Sequence, residues 1–271
     1  MNETTSLILA EPAARVTAAE TTQTPASDEP GAIPTVSSKP CDDCGAAVPY
    51  ERIYVMGRDF GRLLARRCDA CATKAKIAAD AANAEERRNQ IAATIDATIP
   101  PELRLTRADH PEFNVELWRV VKSWTPGPDA EWLGLIGPAG CCKTRILALL
   151  AMRGIRAGQR VVWTSAVRLQ TEAERTLTRD PLAPNAREHL RDCQYAQVLI
   201  LDDIGKNTWG DRFERHFFEI LDHRRNHRLP VLWSANVHPE GFSQVISKTN
   251  AGPIIGRLVD RTALFDLFPS E

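Results

Sequence analysis

The 271-residue sequence predicts an α/β fold, a parallel sheet covered by helices and built around a phosphate-binding loop (P-loop). Three observations predict it. Trp132–Arg145 reads WLGLIGPAGCCKTR, an apolar run that ends in a glycine-containing turn and passes through Lys-Thr into a helical pattern. Gln197–Lys206 reads QVLILDDIGK, in which four apolar residues suited to a strand buried on both faces are followed by two aspartates. From residue 132 onward, short apolar runs alternate with amphipathic stretches, the rhythm of βαβ units. Ahead of this core the sequence predicts a small zinc-binding module and a disordered N-terminal tail.

Residues 1–40 are rich in Thr, Ala, Pro, Glu and Ser and show no apolar period, so a disordered tail is expected. The tail is acidic: Glu3, Glu11, Glu20, Asp28 and Glu29 stand against Arg15 and Lys39. Its short apolar patch, Leu7–Ala10, follows Glu3 and does not read as a secretory signal. No run approaches the ~18 apolar residues of a membrane span. A cytoplasmic location with no membrane partner is the expectation. The net charge of −1 makes the whole-molecule field uninformative about nucleic acid.

Residues 41–71 carry Cys41-Asp-Asp-Cys44 and Cys68-Asp-Ala-Cys71, two pairs separated by 23 residues. Each pair can form a tight knuckle presenting two thiolates, and four sulfurs close a tetrahedral Zn²⁺ site. Tyr50, Ile53, Tyr54, Val55 and Phe60 in the spacer suit a short hairpin. In a reducing compartment the seven cysteines read as metal ligands or free thiols rather than disulfides. From Arg52 to Lys76, Arg52, Arg58, Arg62, Arg66, Arg67, Lys74 and Lys76 outnumber Asp59 and Asp69; they either contact nucleic-acid phosphates or form a solvated face. Residues 72–109 form a helical connector and linker, with a helix from Ala72 to about Ile95 that is broken at Ile99-Pro100-Pro101.

Residues 110–271 form the main domain. Phe113, Leu117, Val120, Val121 and Trp124 fall at helical spacing, with Pro111 in the first turn, and Thr125–Asp129 is a turn. Strands are predicted at Trp132–Ile136, Arg160–Thr164, Val198–Leu201, Pro230–Ser234 and Leu264–Phe268. Helices are predicted at Lys143 to about Ile155, Val167–Thr176, Asn185–Asp192, Asp211–His227 and Gly252–Leu258, with a loop at Pro181 and Pro184.

The chemistry concentrates at the ends of these elements. The turn of Gly137, Pro138, Ala139, Gly140, Cys141 and Cys142 points its backbone N–H groups, which all but Pro138 carry, at one spot beside a helix N-terminus, which favours an anion. Lys143 reaches the β- and γ-phosphates, Thr144 sits on Mg²⁺, and Arg145 closes the segment. The pattern asks for glycine at position 142, and the Cys142 Cβ would crowd a phosphate or an unusual backbone angle. Adjacent thiols at a helix start are either passive or sensitive to oxidation. In a nucleotide site Asp202 holds Mg²⁺ through water, and Asp203 orients or deprotonates the attacking water. Asn236, ending the strand in SANVHPEG, holds that water or senses the γ-phosphate, or is simply a turn residue. Arg257 and Arg261 in GRLVDR either reach a transferring phosphoryl group across a subunit interface or belong to a basic surface helix.

GPAGCCKTR, LILDDIGK, FFEILDHRRNHRLP, LWSAN and GRLVDR together resemble the ATPase core of bacterial helicase loaders of the DnaC type. They are also similar to the IstB-type transposition helpers, and both groups are AAA+ ATPases. The resemblance runs from about Ile99 to the end, and IPPELR resembles the linker that often precedes this core. A cysteine-paired N-terminal module is common in phage and Gram-positive loaders. The resemblance implies ATP binding at Lys143 and Thr144, Mg²⁺ and water chemistry at Asp202 and Asp203, and a sensor role for Asn236. It further implies an arginine finger at Arg261, with Arg257 as second choice. A replicative DNA helicase, single-stranded DNA and self-association through the ATP site are the implied partners. Departures are Cys142 in place of glycine and Asp203 where many AAA+ proteins carry Glu. With little chain after Leu267, no full helical lid is expected. Three functions fit: a helicase-loader-like ATPase in DNA replication initiation, a transposition helper, and a non-hydrolysing DNA-binding or adaptor module with a degenerate P-loop.

Overall fold

The computed structural model describes residues 37–110, 113–127, 130–176 and 181–269. Most of the expected tail, and Pro111, Asp129 and the 177–180 stretch, lie outside the described residues. The described chain forms two compact units that divide within one long helix, at Ala78 and Ala79.

In the first unit, β1 (Ser37–Pro40) pairs antiparallel with β2 (Ala47–Tyr50), placing Pro40 opposite Ala47. Residues 37–40 are therefore a strand, where the sequence reading assigned them to the tail. The connection between these strands carries the first cysteine pair, closed by the Cys41 N–H donating to the Ala46 carbonyl at 2.7 Å. The spacer hairpin is present but short: β3 (Tyr54–Val55) pairs with β4 (Arg58–Asp59). It runs into α1 (Phe60–Leu64), whose first turn is capped by Asp59 accepting from the Arg62 N–H. Helix α2 spans Asp69–Thr98, three residues further at each end than the Ala-rich pattern alone predicts. Asp69 in its first turn favours the N-terminal extension through the helix dipole. None of its residues is fully buried.

The second unit holds the parallel sheet. A 3₁₀ turn at Pro101–Leu103 precedes α3 (Val115–Val121). This helix is shorter than the 110–124 pattern because Asn114 caps it, its side chain accepting from the Leu117 N–H at 2.9 Å. There follow β5 (Trp132–Ile136), α4 (Lys143–Arg156), β6 (Val161–Ser165), α5 (Ala166–Arg175) and α6 (Ala183–Tyr195). Then come β7 (Val198–Ile204), α7 (Asp211–Asn226), β8 (Val231–Ala235), a 3₁₀ stretch at Pro239–Gln244, α8 (Lys248–Val259) and β9 (Thr262–Asp266). Pro184 lies in the first turn of α6, where a missing N–H costs nothing, rather than in the preceding loop. Helix α8 starts four residues before the predicted Gly252 and carries Pro253 inside it. The last strand sits at 262–266 rather than 264–268 because its register is set by β5, Trp132 lying opposite Thr262.

The sheet order is β6-β7-β8-β5-β9, with every pair parallel. Alternation along the strands separates two cores. Leu199, Leu201, Val231 and Trp233 face α5 to α8, and Val198, Ile200, Leu133 and Leu135 face α4. Ile99, Leu103, Phe113, Leu117 and Val121 join the α4 side, so the segment before the sheet is built into this core. The fully buried Arg224 guanidinium donates to the carbonyls of Cys193, Ala196 and Pro230, tying the end of α6 to the start of β8.

At Gly134 in β5 the neighbouring strands approach closely. A Cβ there would meet the Trp233 ring at 2.5 Å and Leu264 at 2.8 Å. Gly134→Ala is expected to destabilise the second unit by about 1–3 kcal/mol, the usual cost of overpacking; urea unfolding measures it, and an unchanged midpoint would contradict this packing.

Candidate functional site

The turn after β5 and the start of α4 are shaped by left-handed backbone. Gly140 has φ +88°, and Cys142, which caps α4, has φ +63° and ψ +14°. A side chain in this region costs roughly 1–2 kcal/mol. The angle that glycine would adopt freely is thus present at Cys142. Lys143, 6% exposed, folds its ammonium back over the turn and donates to the carbonyls of Gly137 and Pro138, each at 2.7 Å. Burial lowers its pKa, opposed by the charges of Cys141, Asp203 and Asp202.

The other half of the site sits at the C-terminal ends of β7 and β8. The Thr144 hydroxyl donates to Asp202 Oδ1 at 3.0 Å, and the Ser234 hydroxyl donates to the same oxygen at 2.5 Å. Ser234 Oγ also accepts from the Asp203 N–H at 3.0 Å. Burial pushes the Asp202 carboxyl above its ordinary range, and the hydrogen bonds from Ser234 and Thr144 work against that shift. The ladder between β7 and β8 slips between Leu201 and Ile204, and Asp203 takes φ +59° within the slip. This bulge breaks the alternation that would bury the second aspartate, and both carboxylates line the same cavity. Asn236 Nδ2 donates to Asp203 Oδ1 at 2.8 Å, and Lys206 Nζ lies 3.0 Å from Asp203 Oδ2.

These groups line one cavity of about 440 Å³. Ala139, Gly140, Cys141, Cys142, Lys143, Thr144, Arg145, Asp202, Asp203 and Asn236 all reach it, together with Leu103, His110 and Ser234. Gly137 and Pro138 act at one remove, through the carbonyls that hold Lys143. The Thr144 hydroxyl and Asp202 carboxylate form a pair of hard oxygen donors, a set that fits Mg²⁺. Sequence reasoning missed Ser234, Lys206, Leu103 and His110. Ser234 had a signal, a hydroxyl inside an otherwise apolar buried strand.

Arg257 and Arg261 are not brought to this cavity. Arg257 pairs with Asp222 at 2.8 Å and lies over the Phe218 ring, 4.0 Å from its centroid. Arg261, with φ +69°, immediately precedes β9 and lies at the N-terminal edge of the sheet. The cavity opens at the C-terminal edge, a strand length of roughly 16 Å away. Arg261 instead borders a second cavity of about 240 Å³ with Arg225, Arg228 and Asp260.

In the first unit, the sulfurs of Cys41, Cys44, Cys68 and Cys71 lie within 4.8 Å of one another, with Cys44 and Cys68 at 3.6 Å. Four sulfurs each about 2.3 Å from a shared ion lie roughly 3.8 Å apart, so the cluster has the dimensions of a tetrahedral thiolate site. The Cys68 N–H donates to Cys41 Sγ at 3.3 Å and is the main cause that lowers the Cys41 pKa to about 6. Hydrogen bonding with Cys44 and Cys68 pushes Cys71 up to about 12. No helix among the described residues is long and apolar enough to cross a membrane.

Residues 121–266 match the family described as IstB-like ATP binding protein, more than half of the chain. The ATP-binding protein of insertion sequence IS21 from Pseudomonas aeruginosa is 30% identical over 132 residues, covering 49% of this chain and 44% of that protein. The DnaI crystal structure is 21% identical, covers 62% of this chain and 95% of its own, and superposes with a TM-score of 0.50. AMPPCP-bound DnaA from Aquifex aeolicus is 17% identical, covers 62% of this chain and 50% of its own, and also gives 0.50. These two structures bear on the fold alone. The chain spans about half the length of the IS21 protein and of DnaA.

The Ser234 hydroxyl favours ionised Asp202, so Ser234→Ala is expected to raise a pKa that burial has already raised. Ionised Asp202 is then lost at a higher pH as the solution is acidified. Mg²⁺-dependent nucleotide binding, titrated across pH, should show its acid limb displaced upward relative to the parent; an unmoved limb would separate Ser234 from the charge state of Asp202.

Proposed function

We propose that this chain, which belongs to the IstB-like ATP binding protein family, is an ATP-hydrolysing switch of the helicase-loader kind that acts in DNA replication initiation. The observation that carries the ATPase reading is the convergence of Thr144, Asp202 and Ser234 with Asp203 and Asn236 on the cavity beneath the Lys143 turn.

In this reading ATP is the substrate. Backbone N–H groups of residues 139–142 and the start of α4 hold its phosphates. Lys143 exchanges its two carbonyl partners for β- and γ-phosphate oxygens, and partial burial strengthens that attraction. Thr144 and Asp202 hold Mg²⁺, which supplies neutralisation of the phosphate charge. Asp203 orients the attacking water and takes its proton, and Asn236 fixes the carboxylate through Oδ1. Cys142 leaves turnover intact, since the turn already has the left-handed geometry that glycine would supply.

Arg261 serves the site of a neighbouring subunit, because it lies at the wrong edge of the sheet for its own. Arg257 is the second choice, already engaged by Asp222. ATP binding thereby joins subunits through the site, and hydrolysis releases them. The four-cysteine cluster holds a structural Zn²⁺ and stabilises a unit too small for a large core. A replicative helicase and single-stranded DNA are the partners, and the location is cytoplasmic. The relative from insertion sequence IS21 favours a second reading in which the same switch recruits a transposase to DNA.

Retention of a replicative helicase by the full chain in ATP is the expected outcome, with about one zinc per chain by metal analysis. Lys143→Ala should weaken ATP binding roughly tenfold to a hundredfold, the worth of hydrogen bonds to charged groups, and abolish that retention. ATP-dependent capture of a transposase instead would establish the second reading. Equal partner binding by parent and Lys143→Ala would leave only an adaptor.

A further inference from the structure

Glu214 is a carboxylate that the proposed chemistry does not use, yet it is 1% exposed. It sits in the first turn of α7 and accepts three hydrogen bonds from the start of α8. The Ser247 N–H donates to Oε1 at 2.6 Å, the Ser247 hydroxyl to Oε2 at 2.6 Å, and Asn250 Nδ2 to Oε2 at 2.6 Å. Burial acts to raise its pKa, and these hydrogen bonds outweigh that and hold it below the ordinary carboxylate range. Ser247 is the N-cap residue of α8 but makes no capping bond with its own side chain. A side chain from another helix therefore supplies the negative end that the α8 dipole attracts.

The far end of α8 is held to the same partner helix. Arg257 bonds Asp222, and Asp260 bonds Arg225. Both partners lie in α7, roughly two and three turns beyond Glu214. Past the end of α8, after one intervening residue, comes Arg261, held in a left-handed conformation. Helix α7 in turn begins a few residues after the bulge that carries Asp203, with Lys206 paired to Asp203 in the connection. One helix thus runs from the C-terminal edge of the sheet, where the cavity lies, to the N-terminal edge, where Arg261 lies. It grips α8 at both ends.

We propose that Glu214 is a positioning residue for Arg261: by clamping the start of α8 to α7 it sets the pitch of α8, and so aims the Arg261 guanidinium at the triphosphate of a neighbouring subunit. This rests on the reading that Arg261 acts across a subunit interface. Glu214 touches no substrate, and its loss leaves the cavity of its own subunit intact. A displacement of 1 Å at a charge-stabilising group costs up to about 10²-fold in rate. Glu214→Gln, which keeps the shape but turns one acceptor toward a donor, is expected to lower turnover about tenfold at unchanged ATP affinity.

The test is subunit mixing with ATPase rate as the readout. Arg261→Ala lacks the donor arginine and Asp203→Asn lacks the water-orienting carboxylate, so each alone should be inactive and their mixture should recover activity. Without that recovery the trans-arginine reading itself fails, whatever Glu214 does. With it, Glu214→Gln mixed with Asp203→Asn should recover to the same level as the Arg261→Ala mixture. Glu214→Gln mixed with Arg261→Ala should stay low, because both lack a properly aimed arginine. Parent-like turnover of Glu214→Gln, or rescue by Arg261→Ala rather than by Asp203→Asn, would overturn the proposal. If Glu214→Gln does not fold, Asn250→Ala removes one of the three bonds. It should show a smaller turnover defect with the same mixing pattern, and a defect rescued the other way round would overturn the proposal equally.

Discussion

A single half-buried carboxylate oxygen holds the second unit's chemistry together. Asp202 Oδ1 accepts from Thr144, at the start of α4, and from Ser234, in β8, while its own strand is β7. Three segments far apart in sequence therefore meet at one atom. Burying a charge is costly unless hydrogen bonds answer it, and here the answering donors come from the two neighbours whose positions matter most. Ser234 then passes the constraint on by accepting from the Asp203 N–H, so the second aspartate is placed by the same knot. Because the start of α4 and the second aspartate are fixed to a common point, the cavity keeps its shape through side-chain contacts as well as through the sheet.

Much of this was legible in the sequence. The apolar runs at 132–136 and 198–201 located two inner strands; Lys143 and Thr144 were readable from the glycine turn that leads into α4, and Asp202 and Asp203 from their place at the end of an apolar strand. Asn236 was readable only as the polar end of a strand; its bond to Asp203 is a tertiary fact. What escaped was set by partners distant in the chain. The last strand slid by two residues because pairing with β5, and not its own apolar content, fixes its register. The bulge at Asp203 depends on the slip against β8, which no periodicity reveals. Leu103 borders the cavity from a segment whose composition suggested only a linker, and His110 from the start of a pattern that suggested only a packing helix.

The two cysteine pairs show a different kind of legibility. Their spacing announced the four-sulfur cluster, and the sulfurs do converge. The strand pair around the first knuckle did not announce itself, since Ser37–Pro40 has neither alternation nor strong β propensity. It forms because β2 offers a pairing edge and the Cys41–Ala46 turn brings the chain back to it.

Among the described residues, five that are not glycine adopt positive φ, and three of them are Cys142, Asp203 and Arg261. At such positions the backbone itself screens which amino acids drift can install. Glycine enters without steric penalty, asparagine and aspartate with little, and branched side chains scarcely at all. Cysteine and glycine codons differ by one base, so the thiol at the head of α4 lies a single mutational step from the residue the turn prefers. A lineage carrying this sequence can move between the two forms with the backbone of the turn already in the conformation that glycine takes.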